Sequence, residues 1–96
     1  MIFLDYRSRG GIPVNTRKLL RKLSQGSLNN IRFSEFTCLI EAFGFKLLRV
    51  SGSHHVYSHP DLQENINLQE VDCEAKPYQI RQFLSLVEHY NLKLKE

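Results

Sequence analysis

Gly44-Phe45-Lys46-Leu47-Leu48-Arg49-Val50-Ser51-Gly52-Ser53-His54-His55-Val56-Tyr57-Ser58-His59-Pro60 decides how the rest of the chain must fold. Glycine adopts the left-handed backbone cheaply, so Gly44 reads as a helix stop. Phe45 to Val50 has the aromatic and β-branched content of a strand, although Leu47-Leu48 interrupts its alternation. Ser51-Gly52-Ser53 turns the chain, and His54 to His59 returns as a second strand. Proline cannot continue a ladder, so Pro60-Asp61 ends it. Side chains alternate along a strand, which places His54, Val56 and Ser58 on one face and His55, Tyr57 and His59 on the other.

Upstream of the hairpin, Ser34 is a good N-cap. Phe36, Leu39, Ile40 and Phe43 follow helical spacing up to Gly44. With the cap at Ser34, Thr37 takes the third helical position and a full capping box is missing. An earlier helix runs from Asn15-Thr16 to about Ser24. It has Leu19, Leu20 and Leu23 on one side and Arg17, Lys18, Arg21 and Lys22 on the other. Gly10-Gly11 and Pro13 break any regular element, so residues 1–14 are expected to be a flexible arm ahead of a single domain over 15–96. Downstream, Asn65 to Gln69 reads as a third strand, followed by an acidic loop carrying Glu70, Asp72 and Glu74. Pro77 suits the first turn of a last helix, whose stripe is Ile80, Phe83, Leu84 and Val87. The expected architecture is α+β: a three-stranded antiparallel sheet with helices packed on one face, plus an extra N-terminal helix. Its core would be Phe36, Leu39, Ile40, Phe43, Phe83, Leu84 and Val87 against Phe45, Leu47, Val56, Ile66 and Leu68.

With 96 residues, 42% of them hydrophobic, the chain can bury one modest core. Its net charge of +3 is uneven. Residues 1–50 hold nine basic and three acidic side chains, net +6, whereas residues 51–96 hold four and seven, net −3. A basic half suits an anionic partner such as nucleic acid, although the basic side of a solvated helix supplies much of it. The only cysteines, Cys38 and Cys73, lie far apart. They form neither a disulfide framework nor a zinc pattern, and reduced thiols in a cytoplasmic protein are expected. The run Met1-Ile2-Phe3-Leu4 is broken by Asp5, far short of a secretory or membrane-spanning segment.

Three chemistries compete for the histidines. Metal binding fails on geometry. His54 and His55 point to opposite faces, and His55 and His59 share a face but lie about 13 Å apart at ~3.3 Å per residue. A Ser53–His54 nucleophile pair fails because strand neighbours rarely align and no orienting acid is evident. General acid–base work on a phosphodiester needs less. One histidine takes the proton of a ribose 2′-OH, and that oxygen attacks the adjacent phosphate. Lys46, Arg49 and the amides of the Gly52-Ser53 turn are available for the developing charge. No cofactor is called for. Against this stands the plainer reading of ordinary surface strand histidines.

The run from Gly44 to Pro60 resembles the HicA family of bacterial toxins. Their signature is a Gly-Phe strand, an Arg, then Gly-Ser-His-His, an apolar or aromatic strand and His-Pro. The helix Glu35–Phe43 resembles that family's first core helix, and Lys76-Pro77-Tyr78-Gln79-Ile80-Arg81 the start of its last. The likeness runs from about Asn15 to about Leu94. It implies a fold like that of double-stranded-RNA-binding domains and ribosome-independent cleavage of mRNA by an endonuclease. His54, matching the first histidine of the signature, would be the catalytic residue. Lys46, Arg49, Gly52, Ser53, His55 and Lys76 would contact RNA, and a HicB-like antitoxin would cover the active face. The chain departs from the family pattern at Asn67-Leu68-Gln69, where many members carry a proline and often another histidine. The alternative is a non-catalytic RNA- or antitoxin-binding module of the same fold. For gripping duplex RNA, the start of the last helix offers only Lys76 and Arg81, with Glu70, Asp72 and Glu74 just before them.

Overall fold

The second helix and the hairpin behind it set the frame. In the computed structural model, which describes residues 15–95, α1 spans Thr16–Ser24 and α2 spans Phe33–Ala42. Four strands follow: β1 (Lys46–Ser51), β2 (His54–Ser58), β3 (Ile66–Val71) and β4 (Glu74–Ala75). The last helix, α3, is Pro77–His89. The arm expected over residues 1–14 lies outside the described residues. None of the described helices is long and apolar enough to cross a membrane.

Each helix has a local reason to start and stop. The Asn15 side chain accepts from the Lys18 amide and caps α1. The α2 cap differs from expectation. Arg32, not Ser34, is the N-cap, so Glu35 stands at the third helical position and its carboxylate accepts from the Arg32 amide at 3.2 Å. At the other end Gly44 has φ 97, and the Gly44 and Phe45 amides close back onto the Glu41 and Ile40 carbonyls. A Cβ at Gly44 would lie 3.1 Å from the Lys95 side chain and 3.3 Å from His59 Nε2. The backbone conformation thus favours glycine there, and a Cβ would press on both neighbours. Asn91 does the same for α3 with φ 54, and the buried Leu92 amide reaches the Val87 carbonyl.

The sheet has four strands in the order β1-β2-β3-β4, all antiparallel, rather than the expected three. The extra strand comes from the acidic loop. Val71 pairs with Glu74 around a two-residue turn in which Asp72 (φ 51) and Cys73 (φ 64) both take the left-handed conformation. That is the geometry of a type I′ hairpin, usually signalled by Asn-Gly or Asp-Gly, and neither stands here. The outer edge of β4 is closed by residues 31–33: the Phe33 amide donates to the Cys73 carbonyl and the Ala75 amide to the Ile31 carbonyl, both at 2.9 Å.

The core lies on one face of this sheet. Phe36, Phe43 and Phe45 surround Phe83, with ring centroids 5.5 to 5.8 Å from it. Leu39, Ile40 and Ile80 are fully buried in the same cluster, which Leu19 and Leu23 of α1 join. Two expected core members lie elsewhere. Leu47 is 45% exposed, and Val56 is buried without belonging to the helix-side cluster. Tyr57, two per cent exposed, takes the place expected for Val56. The helices thus cover the face of His55, Tyr57 and His59, and leave the face of His54, Val56 and Ser58 without a described helix.

Candidate functional site

The face that no described helix covers is built by the β1–β2 hairpin and β3. The turn is two residues long, since Ser51 pairs with His54. Gly52, with φ 60, holds its first central position, the place type II′ turns give to glycine. His54 therefore begins β2 in a fixed position, flanked by Ser51 on one side and Gln69 of β3 on the other. Residues directly opposite in an antiparallel pair share a face, so Ser51, His54 and Gln69 lie in one row. Val56 is flanked in the next row by Arg49 and Asn67, and Ser58 by Lys46.

Lys46 and Arg49 are three residues apart and would fall on opposite faces of a regular strand. A bulge between Leu47 and Arg49 prevents this. The extra residue, Leu48, shifts the alternation by one, so Lys46 and Arg49 both point to the His54 face. The Leu47-Leu48 pair that broke the sequence alternation is the bulge itself. All six β1 residues are exposed, and among the described residues the outer edge of β1 has no partner strand.

His54 is exposed, and its Nδ1 lies 3.2 Å from Asn67 Oδ1. An amide oxygen accepts, so the ring tautomer that matches this contact has its proton on Nδ1 and a lone pair on Nε2. This is the arrangement of an available base. The Ser53 carbonyl is taken up by the Glu70 amide at 2.9 Å, whereas the Gly52 and Ser53 amides have no protein acceptor among the described residues.

The other histidines do different work. His55 sits on the helix side. Its ring packs 4.7 Å from that of Phe33, and its Nε2 lies 3.7 Å from Glu70 Oε1. It does not join His54. His59 is buried: its Nε2–H donates to the Phe43 carbonyl and its Nδ1 accepts from the Asp61 amide, each at 3.0 Å. It ties the end of β2 to the end of α2. Lys76 is the exposed N-cap of α3, just past β4 and two strands away from His54. The structure thus puts Lys46 and Arg49 on the face of His54, Arg49 one row away and Lys46 two rows away, about 13 Å along the strand, with Gly52 and Ser53 in the adjoining turn, and it leaves His55 and Lys76 apart. Among the described residues no group of three His, Cys, Asp or Glu side chains is placed to hold a metal ion.

Sequence reasoning missed two residues. Asn67 was noticed only as a departure from a family pattern. Gln79, five per cent exposed, bonds the β3 backbone: its Oε1 accepts from the Gln69 amide at 3.1 Å and its Nε2 donates to the Asn67 carbonyl at 3.4 Å. The one available signal was an amide residue bordering the apolar stripe of α3. A concavity of about 770 Å³ lies along α3 and the start of β3, lined by Leu62, Ile66, Gln79, Gln82, Leu86 and Tyr90 among others. It touches the His54 surroundings only through Asn67.

The chain matches no protein-family model, and no curated protein or solved structure matches it significantly.

Proposed function

We propose that this chain is the toxin of a toxin–antitoxin pair, an endonuclease that cuts RNA without a metal ion and uses His54 as its general acid–base residue. The observation that carries this reading is the Leu48 bulge, which turns Lys46 and Arg49 to the same face as His54, a face that no described helix covers. A bulge beside a functional face is a common device for re-aiming side chains. Here it puts two cations on the neighbouring strand and on the same face as His54, Arg49 one row from it and Lys46 two. The HicA signature over Gly44–Pro60 supports the same assignment by resemblance.

The chemistry needs nothing beyond these groups. His54 Nε2 takes the proton of a ribose 2′-OH, and the 2′ oxygen attacks the adjacent phosphorus. The bond from phosphorus to the 5′ oxygen breaks, and that oxygen takes up a proton from the imidazolium or from water. Arg49 and the turn amides stabilise the negative charge of the five-coordinate phosphorus, and Lys46, one row further along, meets a neighbouring phosphate. The products are a 2′,3′-cyclic phosphate and a 5′-hydroxyl.

The order α2-β1-β2-β3-α3 is the one expected of a double-stranded-RNA-binding-domain-like fold, to which α1 and the β4 hairpin are additions. The open sheet face is also the surface on which a HicB-like antitoxin would silence the nuclease, in the cytoplasm. The test is growth arrest on expression of the chain alone, relieved by His54→Ala. Arrest that persists in the variant removes His54 from the mechanism. RNA binding without cleavage by either protein selects a binding module instead.

A further inference from the structure

We infer that Asn67 is a positioning residue that fixes the base-competent tautomer of His54, and that buried Gln79 holds Asn67 in place. The inference rests on the reading of His54 as the proton carrier.

Neutral imidazole in water prefers to carry its proton on Nε2. A base working through Nε2 needs the opposite form. Asn67 Oδ1, 3.2 Å from His54 Nδ1, supplies the acceptor that draws the proton to Nδ1. When Nε2 gains the substrate proton, the Nδ1–H keeps the same acceptor. The amide oxygen then faces a cation, and nothing has to reorient. Among the described residues, Asn67 is the only side-chain hydrogen-bond partner of His54.

Asn67 can do this only if β3 is held still. Strand parity shows why that is a problem. The Glu70 amide bonds the Ser53 carbonyl, so Glu70, Leu68 and Ile66 point their backbone groups at β2. Asn67 and Gln69 therefore point theirs outward. The covering strand β4 pairs with β3 only at Glu70 and Val71. Beyond that point the outer edge of β3 would be bare beside the His54 partner. Gln79 fills the place of the missing strand, bonding the Gln69 amide and the Asn67 carbonyl with its one side chain. A buried amide beside Ile80 and Phe83 is costly unless satisfied, and here both ends are.

The experiment is long-range 1H–15N NMR of histidine-labelled, full-length protein without RNA, paired with single-turnover RNA cleavage. In the wild type the neutral His54 ring is the Nδ1–H tautomer. Asn67→Leu keeps the bulk, removes the acceptor and returns the ring to Nε2–H. Its maximal cleavage rate falls about tenfold, the effect of losing one neutral hydrogen bond, with half-saturation unchanged. Asn67→Asp keeps an acceptor and retains the Nδ1–H form. Gln79→Met, which removes both strand-edge bonds, lowers the Nδ1–H population. An Nε2–H ring in the wild type, or no tautomer change in Asn67→Leu, overturns the role of Asn67. An unchanged tautomer in Gln79→Met overturns the role of Gln79. A wild type that cuts no RNA sinks the nuclease reading, while the NMR still decides whether Asn67 sets the tautomer.

Discussion

Phe83 touches three other phenylalanines, one from α2, one from the cap that ends it and one leading into β1. Truncation to alanine empties the point where helix and sheet meet. We expect Phe83→Ala to cost about 3–5 kcal/mol, read from urea unfolding. Tyr57 gives a pH signature. Burial, with the Glu41 carboxylate adding to it, pushes its hydroxyl from 10.0 up to about 12, and the Thr37 hydroxyl pulls partly the other way. The folded state thus favours the neutral phenol. Its contribution to stability is complete below pH 10 and is lost as the pH rises from there toward 12. Thermal melting of Tyr57→Phe should lose less stability than the wild type across that window; parallel curves would show that Tyr57 is not the group responsible. Tyr57 and Val56 also show where sequence reading fails. Both are apolar enough for a core, and they alternate, so period alone cannot say which one the helices cover. That choice decides whether His54 faces the helices or the open side.

The bulge makes a sharp prediction about β1. Lys46 and Leu47 already pair with Ser58 and Tyr57, and Arg49 with Val56, leaving Leu48 as the surplus residue. Deleting Leu48 should keep every one of those pairs, with stability within about 1 kcal/mol of the parent. Deleting Val56, in a strand with no surplus residue, should unfold the protein. Circular dichroism and melting of both deletions check this, and equal damage from the two would refute the assignment of Leu48. The β3–β4 turn offers the reverse case. Cys73 bears φ 64, which a non-glycine residue adopts at a cost, so Cys73→Gly should stabilise by about 1 kcal/mol, measured as a rise in the unfolding midpoint. The sequence concealed this strand because Asp72-Cys73 is poor turn chemistry and β4 is two residues long. It also misplaced the α2 cap. Arginine is no usual N-cap, and the bridge from residues 31–33 to β4, a tertiary contact, sets where the helix begins. By contrast, Gly44 and Asn15 announced their roles, because each solves a backbone problem local to its own helix end.

Across the molecule, charge is sorted by position. Lys46 and Arg49 sit with His54 on the face that no described helix covers, and Glu70, Asp72 and Glu74 gather on and around the β3–β4 hairpin. Two phosphate contacts on a single strand, at about 0.7 each, set a slope near −1.4 for log affinity against log salt. A far steeper slope would point to a wider basic surface, of which Lys76 and the exposed basic side of α1 are the available parts. Little of this arrangement could be read beforehand. The histidines and their flanking cations were visible in the Gly44–Pro60 run, but their sharing of one face depends on a bulge, and the partner of His54 comes from another strand. Everything proposed for function converges on His54 Nε2. The most direct test is cleavage of an end-labelled single-stranded RNA by purified wild-type and His54→Ala protein in excess EDTA. The account predicts wild-type fragments ending in a 2′,3′-cyclic phosphate and none from the variant; a variant that cuts at the wild-type rate, or a wild type that leaves the RNA intact, would contradict it.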